Sequence, residues 1–394
     1  MFTEAFFRKL GQSIKFGNTF GLPFTWDANK KLLCYSQRHH ANALMGQLFI
    51  IGFVIFVLAQ TIRFYYNEDH AHFNFAYVVF YAFASISVPV THVARDPRGI
   101  GTMYNALFIF GRRFGERYWS HPSSTAESDF NRTWLPIAYY VNFMLNIIPT
   151  FLYGHMFVAP RHPIHFPNIF PSNILYYYII YSFYAPSMIY SIYLWAVYLK
   201  TIIYVYLAFT IFAYPLIKRE LRLSSRFIRI KRPFRCAANF SKDPRNVALT
   251  YRCLQLIMTG SSLQFGHYLP IVQALFTQLA ISTAYILILN GNTMKLFTKL
   301  AFLVTVPFCM GIWVAMLSCA GAAYKLSKKC VTDWKVEAGL ISTQVERKYM
   351  TKFSRSCKPL KFECPGFMTA TYDTVLSFMQ GISRGVFRIL LALQ

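Results

Sequence analysis

Acidic side chains are scarce in this chain: Asp and Glu together number 15 of 394 residues, and all charged types make up only 14%. A soluble domain carries about 25% charged residues, so the sequence lacks the polar surface needed to face water all round. No carboxylates pair within the apolar stretches, where Asp373 is the one acidic residue. Chemistry within a bilayer needs ionisable groups positioned to meet, so no catalytic residue is assigned and an enzyme is not expected. No internal repeat is visible, which counts against a transporter built from inverted halves. The N-terminal stretch is mixed and has no continuous apolar core ahead of the first span. A cleavable leader is therefore not expected, and the first span would itself act as the insertion signal.

What is abundant is apolar and basic. Hydrophobic residues account for 55% and aromatics for 18%, and 40 Lys and Arg give a formal net charge of +25. Such a charge could serve nucleic acid, but the basic residues lie between apolar runs of spanning length. That arrangement belongs to membrane orientation, in which Lys and Arg stay cytosolic, and nucleic-acid binding is not expected. Against the roughly 20 residues needed to cross a bilayer, the apolar runs are 41–64, 73–93, 134–158, 173–217, 262–290, 300–324 and 367–394.

The run 173–217 decides the topology. As one helix it would be about 67 Å long, so it is either one overlong span or two spans turning near Lys200. Lys and Arg number six in Met1–His40, none in Tyr65–Ala71 and six in Ala94–Thr133. They number one in Ala159–Ser172, ten in Lys218–Thr250, two in Gly291–Lys299 and ten in Lys325–Lys361. This rich–poor alternation requires an odd number of crossings in 173–217, and hence a single long fourth span. The expectation is an all-α membrane protein of seven transmembrane helices, with a cytosolic N-terminus and an extracellular C-terminus. It divides into a cytosolic segment (1–40), a ligand-binding bundle of six spans (41–324), a cytosolic anchor (325–365) and a pore-lining seventh helix (366–394). The eight cysteines all fall in spans or in segments expected to be cytosolic, where thiols stay reduced. The two sequons at Asn131 and Asn239 lie on the same side and are expected to stay unmodified. A G-protein-coupled receptor also has seven spans but the opposite charge layout, and its acidic-Arg-aromatic and Asn-Pro-x-x-Tyr motifs are absent.

The aromatic runs Phe73–Tyr81 and Tyr176–Tyr184 are the positive functional signal. An interfacial belt accounts for Tyr176–Tyr178 but not for Tyr181, Tyr184 and Met188, which sit deeper and suit either core packing or a pocket for a small apolar ligand. His162 and His165 have the spacing of half a metal site; with no Cys or carboxylate near, they read as polar loop residues, and no metal or cofactor is assigned. Arg384 and Arg388 in the last span either snorkel to the interface or face a lumen or another subunit.

The order of motifs at the end of the chain resembles the insect odorant receptor family, the tuning branch of a seven-span odorant and gustatory channel superfamily. The likeness lies in Cys357-Lys358-Pro359-Leu360, in Gly366-Phe367-Met368-Thr369 and in Thr371–Leu376, with Gly321, Ser327 and Trp334 upstream. It implies an odorant-gated, nonselective cation channel in the plasma membrane of an olfactory neuron dendrite. Such a receptor is a heterotetramer with a co-receptor subunit, has membrane lipid around it and binds a small volatile organic ligand. The implied odorant pocket comprises Phe80, Tyr81, Ile147, Ile148, Phe151, Tyr181, Tyr184, Met188, Val304 and Phe308. The implied pore and gate residues are Leu390, Leu391 and Gln394. The superfamily's Thr-Tyr before that Gln reads Phe387-Arg388 here, and the co-receptor's long insertion after the fourth span is lacking. Both departures argue for a tuning subunit, with a homotetrameric gustatory channel as the nearest alternative and a small-molecule transporter after it.

Overall fold

The structure, a computed structural model, describes residues 2–119, 124–169, 174–221, 236, 240, 243–291, 294–338 and 343–392. Seven helices among these residues are long and apolar enough to cross a membrane. They are α2 (Gln37–Tyr66), α3 (His70–Arg95), α5 (Ser124–Val158), α6 (Ile174–Pro215), α8 (Tyr268–Asn290), α9 (Leu296–Glu337) and α11 (Tyr372–Ala392). The chain is thus a multi-pass membrane protein with an all-α, seven-span fold. The long fourth span is a single helix: α6 runs 42 residues, about 63 Å, and ends in one π-helical turn, Leu216–Glu220. It is the central post of the bundle, packed against α2, α3 and α5. Lys200 interrupts its apolar run without breaking it, because its ammonium lies 6.0 Å from the Phe16 ring and 5.9 Å from the Tyr204 ring.

The remaining elements form a layer at one end of the bundle, here called the basic end. It comprises α1 (Glu4–Thr19), α4 (Pro97–Tyr118), α7 (Pro244–Phe265), α10 (Gln344–Ser356) and two short hairpins. The hairpins pair β1 (Phe24–Asp27) with β2 (Leu32–Tyr35) and β3 (Glu363–Cys364) with β4 (Met368–Thr369), both antiparallel. Thr3 caps α1 by accepting from Phe6 N at 3.1 Å. Asp-Pro pairs start α4 and α7: Asp96 accepts from Gly99 N at 2.9 Å and Asp243 from Arg245 N at 2.8 Å, with Pro97 and Pro244 in the first turn. An Asp cap followed by Pro, which donates no N–H, is a strong start signal. Phe2, Phe6, Phe7 and Phe108 then stack around Trp134 and Phe130, joining this layer to the third span.

Two spans differ from the sequence expectation. The run 262–290 is broken at Gly266 and His267, so that α7 and α8 are separate helices. Gly266 packs its Cα face against the Glu363 carbonyl, and Ser262 Oγ accepts from Glu363 N at 3.2 Å. The β3 strand therefore takes the place that a continuous helix would need. The sixth span does not end at Tyr324 but continues to Glu337. Its extension reads as polar, yet Ser327, Cys330, Val331 and Trp334 recur at helical spacing and are buried, an amphipathic stripe that hydropathy averages away.

That stripe holds the anchor together. Trp334 Nε1 donates to the Leu221 carbonyl at 2.8 Å, tying α9 to the end of α6. Ser327 Oγ accepts from Leu360 N at 2.8 Å, and Tyr251 of α7 donates to the Lys358 carbonyl at 2.8 Å. The motif residues separated in sequence thus meet in one contact set. Gly366, with φ +75°, makes the turn between β3 and β4, a conformation open to glycine without strain.

Candidate ligand cavity and last helix

At the opposite, short-loop end, α2 and α3 are joined by Asn67–Asp69, while the segment 159–169 folds back over the bundle with a 3-10 turn at Phe166–Ile169. Asp69 caps α3, accepting from His72 N at 3.2 Å, and binds His72 Nδ1 at 2.7 Å. Four imidazoles gather there. The His155 ring lies 5.3 Å from both the His162 and His165 rings, and His72 lies 5.3 Å from His162. Phe75 stacks on His155 at 4.9 Å. The contacts are ring to ring, and among the described residues no group of three His, Cys, Asp or Glu is arranged to hold a metal ion. Burial, and secondarily the neighbouring histidines, push the His162 and His165 pKa values down to about 3.

Beneath this cap lies a cavity of about 80 Å³, lined by α2, α3, α5, α6, α8, α9 and the loop residues Ile164 and His165. Of the residues expected to form an odorant pocket, Phe151 and Met188 line it. The others surround it or stand apart. Tyr184 is buried with its hydroxyl 3.4 Å from His165 Nδ1, and Tyr181 donates to the Met156 carbonyl at 2.8 Å. Ile148 is buried and Ile147 half-buried in α5, and Phe80 packs on the main core. Tyr81 shares a 3.3 Å hydroxyl contact with Tyr77. Phe308 is buried with its ring 6.1 Å from Tyr140, and Val304 is half-buried. Lining residues the sequence did not single out include Phe53, His155, Phe297, Phe302 and Thr305. They are scattered over three helices at positions that look like ordinary core.

A larger cavity, about 220 Å³, lies toward the basic end between α3, α4, α6, α7, α8 and α9. Ala82, Leu279 and Thr305 line both cavities, so the two are neighbours across one wall.

The last helix is nearly bare. Among its described residues only Phe378 is buried. Asp373, Ser377, Gln380, Arg384, Arg388 and Leu391 are exposed and recur every three or four residues, which places them on one face. A second exposed row is apolar: Tyr372, Leu376, Met379, Phe387 and Leu390. Leu390 and Leu391 of the expected gate are thus exposed, and Gln394 lies outside the described residues.

No family model matches the chain, and no curated protein does. Solved structures do. This chain has the all-α, seven-span fold of an insect olfactory receptor. Olfactory receptor OR5 from Machilis hrabei in complex with eugenol superposes with a TM-score of 0.67 at 13% identity, covering 98% of this chain and 97% of that one. The same receptor in a second structure gives a TM-score of 0.64 at 12% identity, covering 98% and 99%.

Proposed function

We propose that this chain is an insect odorant receptor: a subunit of an odorant-gated, nonselective cation channel that binds a small apolar volatile at the short-loop end and conducts along its last helix. The observation that carries the reading is the likeness over nearly the whole chain to an olfactory receptor whose structure was solved with eugenol, an aromatic volatile. Two further features support it. The short-loop cavity is walled by Phe, Met and His side chains with few charges, which suits a small apolar ligand. The last helix keeps a polar face out of its own bundle, as a helix shared around a pore requires.

In this reading the odorant occupies the space around Phe151 and Met188, with Phe80, Tyr81, Ile147, Ile148, Tyr181, Tyr184, Val304 and Phe308 as its surround. An 80 Å³ cavity is smaller than the roughly 150 Å³ that holds benzene, so binding expands it. A state with the expanded cavity is favoured by the ligand in proportion to its differential affinity, and that shift opens the pore. Leu391 forms the gate with Leu390 beside it and Gln394 beyond. Arg384 and Arg388 would repel cations if repeated around an axis, so a heterotetramer with a co-receptor subunit is the assembly proposed, in the plasma membrane. N-terminus inside and C-terminus outside follow from the basic-residue count.

The test is current recorded from cells expressing this chain with and without a co-receptor while volatiles are applied. Current that requires both chains, with a dose–response shifted severalfold by Met188→Ala at unchanged surface level, is the expected result. Current from this chain alone would favour the homotetrameric alternative, and ligand flux without current would overturn the channel reading.

A further inference from the structure

We infer that the larger cavity toward the basic end is a second, separate ligand site, built for a small neutral aromatic alcohol. Its walls are overwhelmingly apolar: Ile86, Leu107, Val205, Phe209, Phe276 and Ile312 are among them. Set into those walls are three side chains that are more than nine-tenths buried and carry a polar atom with no partner in the protein. They are His92 at 5% exposure, Tyr104 at 3% and Trp313 at 8%, with Nε2, OH and Nε1 respectively unpartnered. Thr305 adds a fourth unpartnered polar atom, its hydroxyl, on the wall shared with the smaller cavity.

Buried polar atoms are almost always paired, and leaving one bare is unfavourable. Three in one cavity mark a place where a ligand supplies the partners. His92 and Tyr104 flank the same ring, Phe265, at centroid distances of 4.8 and 6.3 Å. Both therefore belong to the part of the cavity that Phe265 lines. A neutral imidazole nitrogen donates or accepts according to tautomer, a phenol does both, and an indole N–H only donates. A hydroxyl, which donates and accepts, satisfies every combination; a carbonyl, which only accepts, and an ammonium, which only donates, do not.

Size narrows the class further. An apolar cavity of about 150 Å³ holds benzene, so 220 Å³ accommodates about nine heavy atoms. Sterols and phospholipids are excluded on that count. Because the site is separated from the smaller cavity by Ala82, Leu279 and Thr305, occupancy here is not occupancy there. The inference stands whether or not the chain conducts ions.

The test is equilibrium binding of 4-ethylphenol, and of 4-ethyltoluene as the same shape without a hydroxyl, to the purified full-length chain in lipid nanodiscs. Wild type should bind the phenol about tenfold more tightly, one good hydrogen bond's worth. His92→Leu should remove that preference while leaving 4-ethyltoluene affinity unchanged. Ala320→Phe, which fills this cavity, should abolish binding of both. Ala301→Phe, which fills the smaller cavity, should abolish neither. Equal affinity of wild type for the two compounds, no binding of either, or loss confined to Ala301→Phe would each overturn the inference. Should Ala320→Phe fail to fold, the hydroxyl preference in wild type and His92→Leu decides.

Discussion

Gly321 is where the anchor meets the last helix, and replacing it tests how tightly the two are joined. A Cβ at this position would stand 2.9 Å from Tyr372 N, 3.0 Å from the Thr371 carbonyl carbon and 3.3 Å from Thr371 Cα. Non-bonded carbon contacts settle at about 3.5–4.0 Å, and all three neighbours are backbone, so no rotamer change relieves the clash. Gly321→Ala must therefore displace the start of α11 by roughly half an ångström. Overpacking of this kind costs about 1–3 kcal/mol, offset by about 1 kcal/mol of helix propensity gained when Gly becomes Ala. Gly311 lies on the same helix with nothing within 4 Å of its Cβ position. Gly311→Ala should collect the propensity gain alone. The two variants should thus differ by about 1–3 kcal/mol, with Gly321→Ala the less stable in thermal unfolding of the purified chain. Only Gly321→Ala should alter odorant-evoked current or baseline leak. If it proves as stable as Gly311→Ala and responds like wild type, the close packing of α9 on α11 is wrong.

Acid should loosen the cap at the short-loop end. His162 and His165 have folded-state pKa values near 3, while the unfolded chain takes up protons below about 6.5. Their contribution is complete above that value and declines as pH falls from 6.5 toward 3, by about 1.4 kcal/mol per histidine at pH 5.5. Thermal unfolding at pH 7.5 and 5.5 should show a smaller acid decrement in His165→Gln than in wild type, and equal decrements would refute the assignment. Trp334→Ala should destabilise by about 3–5 kcal/mol because it empties a fully buried site. Trp334→Phe should cost less, chiefly the hydrogen bond to Leu221, and denaturant midpoints that failed to separate the two would count against that bond. Leu391→Ala should change resting leak or gating in whole-cell recordings; unaltered baseline and response together would remove Leu391 from the gate.

The spans were readable because a bilayer imposes a length and a polarity that composition cannot disguise. The fourth span was settled not by hydropathy, which allowed two helices, but by counting Lys and Arg on either side of it. What escaped was everything that hydropathy averages over. The extension of α9 through Trp334 is half polar, and only its helical spacing betrays a buried stripe. The break at Gly266 depends on a strand nearly 100 residues downstream, which no local pattern contains. The cavity suffered likewise. Met188 could be placed from its depth along an aromatic helix and Phe151 only through the family resemblance, while the walls contributed by α8 and α9 and the imidazole cap exist only once the helices converge. The larger cavity gave no signal at all, since His92 and Tyr104 sit on different helices and Trp313 lies about 200 residues further on.

The uncovered face of α11 bears on how such a chain is made. Guanidinium groups at Arg384 and Arg388 are unfavourable in hydrocarbon, and a chain inserted alone offers them only the interface that a long side chain can reach. In the proposed assembly that face is covered by neighbouring subunits, so the final helix would be the element that couples the chain's stability in the bilayer to its assembly. If the assembly proposed above holds, a chain whose last helix stays uncovered is the less stable form, and the amount of assembled protein would follow the supply of partner subunits as well as the expression of this chain.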